Sequence, residues 1–333
     1  MHNERAMSSF SRRRRFLKST TAAAAGLWLS SNGGTAYSAA VKPGLMPFSL
    51  GFSLYGMQKL PLAEALKTCA DIGYRDVELA LLAGFHADPT TFTKPARVEA
   101  RSLLGSLGLR VAALMDNLKL PAAQADHEKN LERIKRAGEL ARDLSPDRPP
   151  VLETIMGGSA AEWDDPETNG LARLRDWSQA AKTHDLTIAV KAHANNYINT
   201  PTAILRLIEQ CRAAQIENVK LVYDYSHFRA RSLPLDETLQ QMVDETAFIH
   251  VKDTRMLAPY ESGKSPKFEF LLPGEGGVDY VRYFEILRDH NYFGSVTVEV
   301  SAQLHKKPDY DPIAAARRSF APLKLAFDAV AAT

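Results

Sequence analysis

Five short apolar runs in this chain end in residues that bind cations, move protons or hold anions. Residues 188–195 read I-A-V-K-A-H-A-N, an apolar run closed by Lys191 and His193. Side chains alternate along a strand, so an ammonium and an imidazole two residues apart point the same way. Glu153 closes V-L-E-T-I, Asp224 and His227 close V-Y-D-Y-S-H, His250, Lys252 and Asp253 close I-H-V-K-D, and Glu299 closes V-T-V-E-V. A lone histidine after a strand is usually a hydrogen-bonded structural group, and a lone glutamate usually faces solvent. Here that reading would have to hold at five ends together. Burying so many ionisable groups is costly unless something binds them, which points to one shared site. Imidazoles with carboxylates and no thiolate form a nitrogen–oxygen set suited to Mn, Co, Mg, Zn or Fe rather than to a soft metal.

For these ends to meet, the runs must lie side by side. Eight strand candidates recur at intervals of roughly 30–40 residues, separated by amphipathic stretches. They start at Phe48, Asp76, Arg110, Pro150, Thr187, Val219, Ala247 and Ser295. Each is rich in Val, Ile and Leu without clean alternation, as parallel strands covered on both faces are. The intervening stretches read as helices. PLAEALKTCADIG has Pro61 near its first turn and closes on Gly73, and RVEARSLLGSLG closes on Gly108. In the last one, PIAAARRSFAPLKLAFDAV, Pro322 is expected to kink or break the helix. Eight alternating units predict an α/β fold, a (β/α)8 TIM barrel, over residues 41–333. An open doubly wound sheet is the rival, but no Gly-rich phosphate fingerprint follows the first strand. Barrel strands converge at their C-terminal ends. Two long loops lie on that face, 156–167 after the fourth strand and 254–277 after the seventh. The second holds P-G-E-G-G-V-D-Y, read as a glycine turn with Asp279 near a helix N-cap or as a cover with Glu275 reaching the site. Tyr55 is read as a wall of the mouth or as core, and Glu78 as part of a buried pair inside the barrel.

The front of the chain is different. Residues 11–18 read S-R-R-R-R-F-L-K, followed by T-T-A-A-A-A-G-L-W-L and the small-residue run T-A-Y-S-A-A. A basic region, a short apolar region and small residues make an export signal, and Arg13-Arg14 resembles the twin-arginine type, with Arg12-Arg13 as an alternative pair. Residues 1–40 are therefore expected to be removed between Ser38 and Val41 after export by the twin-arginine translocase, giving a periplasmic or secreted protein. The apolar stretch is too short for a membrane span, and no cysteine offers a lipid anchor. The whole chain has 41 Lys+Arg and 39 Asp+Glu; the first 40 residues hold six basic residues and one acidic, leaving 35 against 38, a net charge of −3. That balance gives no basic footprint for nucleic acid. Cys69 and Cys211, the only two cysteines, fall in helical patterns and are expected as buried free thiols.

G-Y-R-D-V-E-L after the first helix, V-Y-D-Y-S-H, I-H-V-K-D, P-G-E-G-G-V-D-Y and T-V-E-V together resemble the xylose isomerase-like TIM barrels, the sugar phosphate isomerase/epimerase superfamily. The order and spacing of the motifs carry the resemblance, over nearly all of residues 41–333. It implies one divalent metal ion held by two Glu, one Asp and one His, with the two Glu also moving the proton. Matched by position, Asp224 and His250 are the Asp and His ligands, Glu299 is the last Glu, and His227 touches substrate. The other Glu should end the fifth strand, where Lys191 stands. His193 is then expected as the substitute ligand, with Lys191 as a base of lowered pKa or a clamp on substrate oxygen. A salt bridge of Lys191 to Glu153 or Asp224 is the structural alternative, and Glu153 is the alternative replacement carboxylate, as ligand or second acid/base. The expected catalytic residues are thus Lys191, Glu153 and Glu299; the expected ligands are His193, Asp224, His250 and Glu299. His227, Lys252, Glu275 and Asp116 are expected on the substrate, with Asn117 beside Asp116 as a further contact for sugar hydroxyls.

The implied activity is that of an exported, metal-dependent isomerase or epimerase-like enzyme, taking a proton from beside a carbonyl of a non-phosphorylated sugar. Its small-molecule partner is a carbohydrate; the oligomeric state is left open. A lyase or hydrolase cleaving keto-glycosides by β-elimination is the first alternative, and a sugar-binding barrel without catalysis the second. A repair nuclease of the same superfamily would need more histidine ligands and a positive face.

Overall fold

The computed structural model describes residues 46–120, 124–158, 163 and 169–333. Residues 1–40, expected as an export signal, lie outside the described residues, as do residues 159–162 and 164–168 of the loop after the fourth strand. Eight parallel strands close into a barrel. They are β1 (Ser49–Ser53), β2 (Asp76–Ala80), β3 (Arg110–Met115), β4 (Val151–Thr154), β5 (Ile188–Lys191), β6 (Val219–Asp224), β7 (Thr246–Val251) and β10 (Ser295–Val298). Neighbours around the barrel follow chain order, and β10 returns to β1. All eight apolar runs are barrel strands, so the α/β (β/α)8 TIM barrel is the fold.

The period of two along each strand explains how one chain makes both a core and a site. Outward residues such as Phe52, Leu79, Leu114, Leu152, Val190, Tyr223, Ile249 and Val298 are buried in the main core, between sheet and helices. Inward residues Ala113, Ala189, Val222 and Phe248 form a separate small apolar plug. Two residues further along the same strands, on the same side, stand Met115, Lys191, Asp224 and His250. The apolar layer thus becomes the floor under the polar one.

The loop expected at 254–277 contains an antiparallel hairpin, β8 (Asp253–Met256) with β9 (Phe268–Leu271). Its signal is short, the alternation in F-E-F-L, and Phe268 and Phe270 meet edge to face at 4.9 Å. Gly73 and Gly108 close their helices with φ of +114° and +65°, a left-handed turn that glycine takes without cost. The last helix, Pro312–Ala331, does not break at Pro322. Buried residues on both sides of the proline, Ala316 and Ser319 before it and Leu323 and Ala326 after it, offset one lost ladder bond. Cys69 and Cys211 are buried free thiols. Among the described residues, no helix is long and apolar enough to cross a membrane.

Two helical glycines give opposite expectations. A Cβ on Gly138 would fall 2.2 Å from His184 Cγ, whereas one on Gly105 meets nothing within 4 Å. Gly138→Ala is expected to destabilise by about 1–3 kcal/mol through overpacking. Gly105→Ala should stabilise by about 0.5–1 kcal/mol through lost unfolded-state freedom. Urea unfolding midpoints check both, and a reversed ranking contradicts this packing.

Candidate active site

At the C-terminal mouth of the barrel, ionisable side chains from five strands converge around two buried ammonium groups. Lys191 ends β5 and Lys252 follows β7, and each is no more than 4% exposed. Lys191 Nζ lies 3.0 Å from Glu153 Oε1, 3.1 Å from Glu299 Oε2 and 2.9 Å from His250 Nδ1. Lys252 Nζ lies 2.5 Å from Asp224 Oδ2 and 2.7 Å from Glu299 Oε2. One oxygen of Glu299 therefore serves both lysines. An ammonium only donates, so His250 Nδ1 accepts, and the ring's Nε2 faces Glu78 Oε2 at 3.0 Å. Glu78, deep in β2, fixes the imidazole from below, as the sequence suggested for a buried pair.

Electrostatics separate the three carboxylates that touch the lysines. Burial alone would raise Asp224, but Lys252 and then Lys191 hold it well below the usual carboxylate range. Burial works against Glu299 too, and Lys191 and Lys252 outweigh it, so this carboxyl also stays ionised. Glu153 goes the other way: burial raises its pKa, and Lys191 offsets only part of that. Neither Glu153 oxygen has a hydrogen-bond partner. Its contact with Lys191 is an ion contact without hydrogen-bond geometry. Burial opposes the charge on Lys191, but Glu153, Glu299, Asp224 and Glu78 together hold its pKa well above that of an ordinary lysine. The sequence expectation of a lowered lysine pKa is thereby corrected. Surrounding carboxylates, not cations, dominate its environment.

Asp224 is also the N-cap of a short helix, Tyr225–Arg229, and takes the Ser226 hydroxyl at 2.5 Å. That turn brings His227 back over the site, its Nε2 3.4 Å from Asp224 Oδ2 and its Nδ1 accepting from the Ala194 N–H. Burial pushes the His227 pKa well down, so the ring is neutral. His193 packs its ring on His227, centroids 4.3 Å apart. These groups border a cavity of about 140 Å³, together with Tyr55, Asn117, Ser301 and Phe270. Phe270 comes from β9 and presents its ring 5.1 Å from Lys252 Nζ. The sequence reading missed it, and the alternating F-E-F-L was the available signal.

Lys191, Glu153, Glu299, His193, His227 and Lys252 thus meet at one cavity, with Asp224 and His250 directly behind. Two expected substrate contacts do not join them. Glu275 accepts from the Leu272 N–H at 3.2 Å and pairs with Arg318, so it holds its own turn. Asp116 pairs with Arg133 beside the mouth, while Asn117 reaches the cavity. Asp253, also at a strand end, ties down the glycine turn by accepting from Gly276 N–H at 2.6 Å and from the Tyr280 hydroxyl at 2.7 Å.

Asp224, His250 and Glu299 each place one ligand atom within 4.8 Å of the others, a triad able to hold a metal ion. His193 is not part of that triad. All three triad members are already engaged by Lys191 or Lys252. A divalent ion set among them would stand against two ammonium groups. With both lysines seated, the residues present do not fit the ion.

The sequence profile described as xylose isomerase-like TIM barrel matches residues 66–324. An inosose dehydratase of Geobacillus kaustophilus is 25% identical over 260 residues, 71% of this chain and 79% of that one. The match to an inosose dehydratase of Halalkalibacterium halodurans spans less than half of that protein, 43%, at 28% identity over 38% of this chain. Among solved structures, L-ribulose 3-epimerase superposes with a TM-score of 0.66 at 17% identity, covering 85% of this chain and 95% of that one. A xylose isomerase-like TIM barrel protein from Mycobacterium smegmatis in complex with magnesium superposes with a TM-score of 0.62 at 15% identity, covering 85% and 98%.

The partly buried His193 gives a pH expectation. Burial, then Lys191 and Lys252, push the His193 pKa down to about 4. An unfolded histidine titrates near 6.5. As pH falls below about 6.5 the unfolded chain takes the proton first, so the stability carried by the neutral ring is lost progressively down to about pH 4. His193→Gln should flatten the stability–pH curve in that window, measured by urea unfolding, against an unchanged curve if the ring were free in solvent.

Proposed function

The chain belongs to the xylose isomerase-like TIM barrel family, and we propose that it is a sugar isomerase/epimerase-like enzyme. In this reading it removes a proton from the carbon beside a carbonyl of a small carbohydrate. Glu153 carries the reading: a fully buried carboxylate on the cavity wall, with no hydrogen bond to either oxygen, 3.0 Å from an ammonium group. A buried carboxylate with neither oxygen hydrogen-bonded is expensive and suits proton transfer. Its raised pKa brings it closer to neutrality, where an acid/base catalyst works best.

The remaining groups divide the work. Positive charge against the carbonyl oxygen acidifies the adjacent C–H and holds the enediolate. Glu299, shared by two ammonium groups, is a weak base and a strong anchor for them. The neutral His227 ring, Asn117 and Ser301 offer hydrogen bonds to hydroxyls, and Tyr55 and Phe270 wall the cavity. The cavity suits one monosaccharide-sized molecule. Relatives named for inosose and L-ribulose support a small polyhydroxylated carbonyl compound. If residues 1–40 direct export, the substrate is non-phosphorylated, since phosphorylated sugars are cytoplasmic metabolites. Return of the proton to the opposite face epimerises the carbon, and return to its neighbour isomerises the sugar. Loss of a β-substituent eliminates, and the dehydratase relatives favour keeping that lyase outcome. In a second reading, a divalent ion in the Asp224–His250–Glu299 triad supplies the charge. The triad's spacing and the magnesium of the Mycobacterium smegmatis neighbour favour it; the seated lysines weigh against it.

Isomerisation, epimerisation and elimination share one first step, which can be read directly. In heavy water, proton NMR of ketoses and keto-glycosides should show enzyme-dependent loss of the signal from the carbon beside the carbonyl. Glu153→Gln should slow that exchange by about 10²–10⁴-fold. A folded wild-type protein that exchanges and converts none of these sugars contradicts catalysis and leaves the sugar-binding barrel.

A further inference from the structure

The two lysines do more than neutralise their neighbours. Asp224 and Glu299 carry two negative charges, and Lys191 with Lys252 brings two positive ones, the charge a divalent ion would bring. Both lysines border the cavity, so the positive pair faces a ligand rather than the barrel floor. Among the described residues Lys252 donates to two carboxylate oxygens, which leaves one of its three N–H hydrogens for a ligand. Lys191 is engaged by His250 and Glu299, and backs Lys252 through the shared Glu299 oxygen.

We propose that this ammonium pair stands in place of a divalent cation. Lys252, backed by Lys191, donates an N–H to the substrate's carbonyl oxygen and holds the negative charge that develops there. Asp224, His250 and Glu299 then hold lysines rather than an ion. The identity of the ligand rests on the proposed function; the substitution of ammonium for metal does not. No electron transfer is involved: the proton leaves carbon for Glu153, the charge moves to oxygen, and the N–H stays on nitrogen.

The test is Mn²⁺ retention after dialysis, measured as metal per chain on wild type and on Lys191→Glu/Lys252→Met. The double variant removes both ammonium groups and adds a carboxylate beside the triad, giving an oxygen-rich set that suits Mn²⁺. Wild type should retain no Mn²⁺ above the buffer level, and the variant about one ion per chain, with its folding checked by circular dichroism. Wild type that retains one Mn²⁺ per chain, lost in His250→Ala, overturns the proposal whatever the variant does. A folded variant that retains none also overturns it, because the lysines would then not be what fills the ion's place. Hydrogen exchange on the keto sugar should continue undiminished with a chelator present. A protein inactive on every sugar but with the expected Mn²⁺ pattern would count against the enzyme reading and leave the ammonium pair standing.

Discussion

Two ammonium groups buried at the mouth of a barrel must be matched by carboxylates in good geometry, or the barrel would not close around them. Much of the site follows from that demand. Glu299 lies between the lysines, Asp224 takes Lys252, and Glu153 with His250 brackets Lys191. His250 accepts from a lysine only because Glu78 takes its other nitrogen. Breaking one such buried pair costs about 3–5 kcal/mol, since the partner is left charged and alone. The cluster is thus a structural keystone as well as the best place for chemistry.

The same arrangement sorts carboxylates by role. Asp224 and Glu299 are held ionised by their ammonium partners, while Glu153 is pushed towards the protonated form by burial. Groups of one chemical type with opposed pKa shifts are how one site provides both fixed charge and a mobile proton. Groups behind this layer keep it in place. Asp253 holds the glycine turn at 272–277 through Gly276 and Tyr280, and the hairpin brings Phe270 against Lys252.

Much of this was legible in the sequence because strand periodicity is local. The eight apolar runs, the inward alternation that puts Lys191 two residues after Ala189, and the five polar strand ends can all be read without contacts. Partners across the barrel cannot, because they depend on register. The paired Asp224 and His250 are side by side because β6 and β7 meet at that step, after a shift in register near Leu221. For the same reason the environment of Lys191 is only partly legible: the salt bridge to Glu153 is among the sequence readings, but the one to Glu299, 108 residues further along the chain, is not. Glu275 and Asp116 had the right chemistry for a sugar, but local ion pairs with Arg318 and Arg133 claim them. Pro322 looked like a break, and burial on both sides of it carries the helix through.

The most direct measurement is a crystal structure of the wild-type protein grown in excess Mn²⁺, with anomalous scattering recorded at the manganese edge. The account predicts both lysine nitrogens seated between Asp224, His250 and Glu299, with no anomalous peak among them. A peak at that centre, with Lys191 or Lys252 swung out into the cavity, would contradict it.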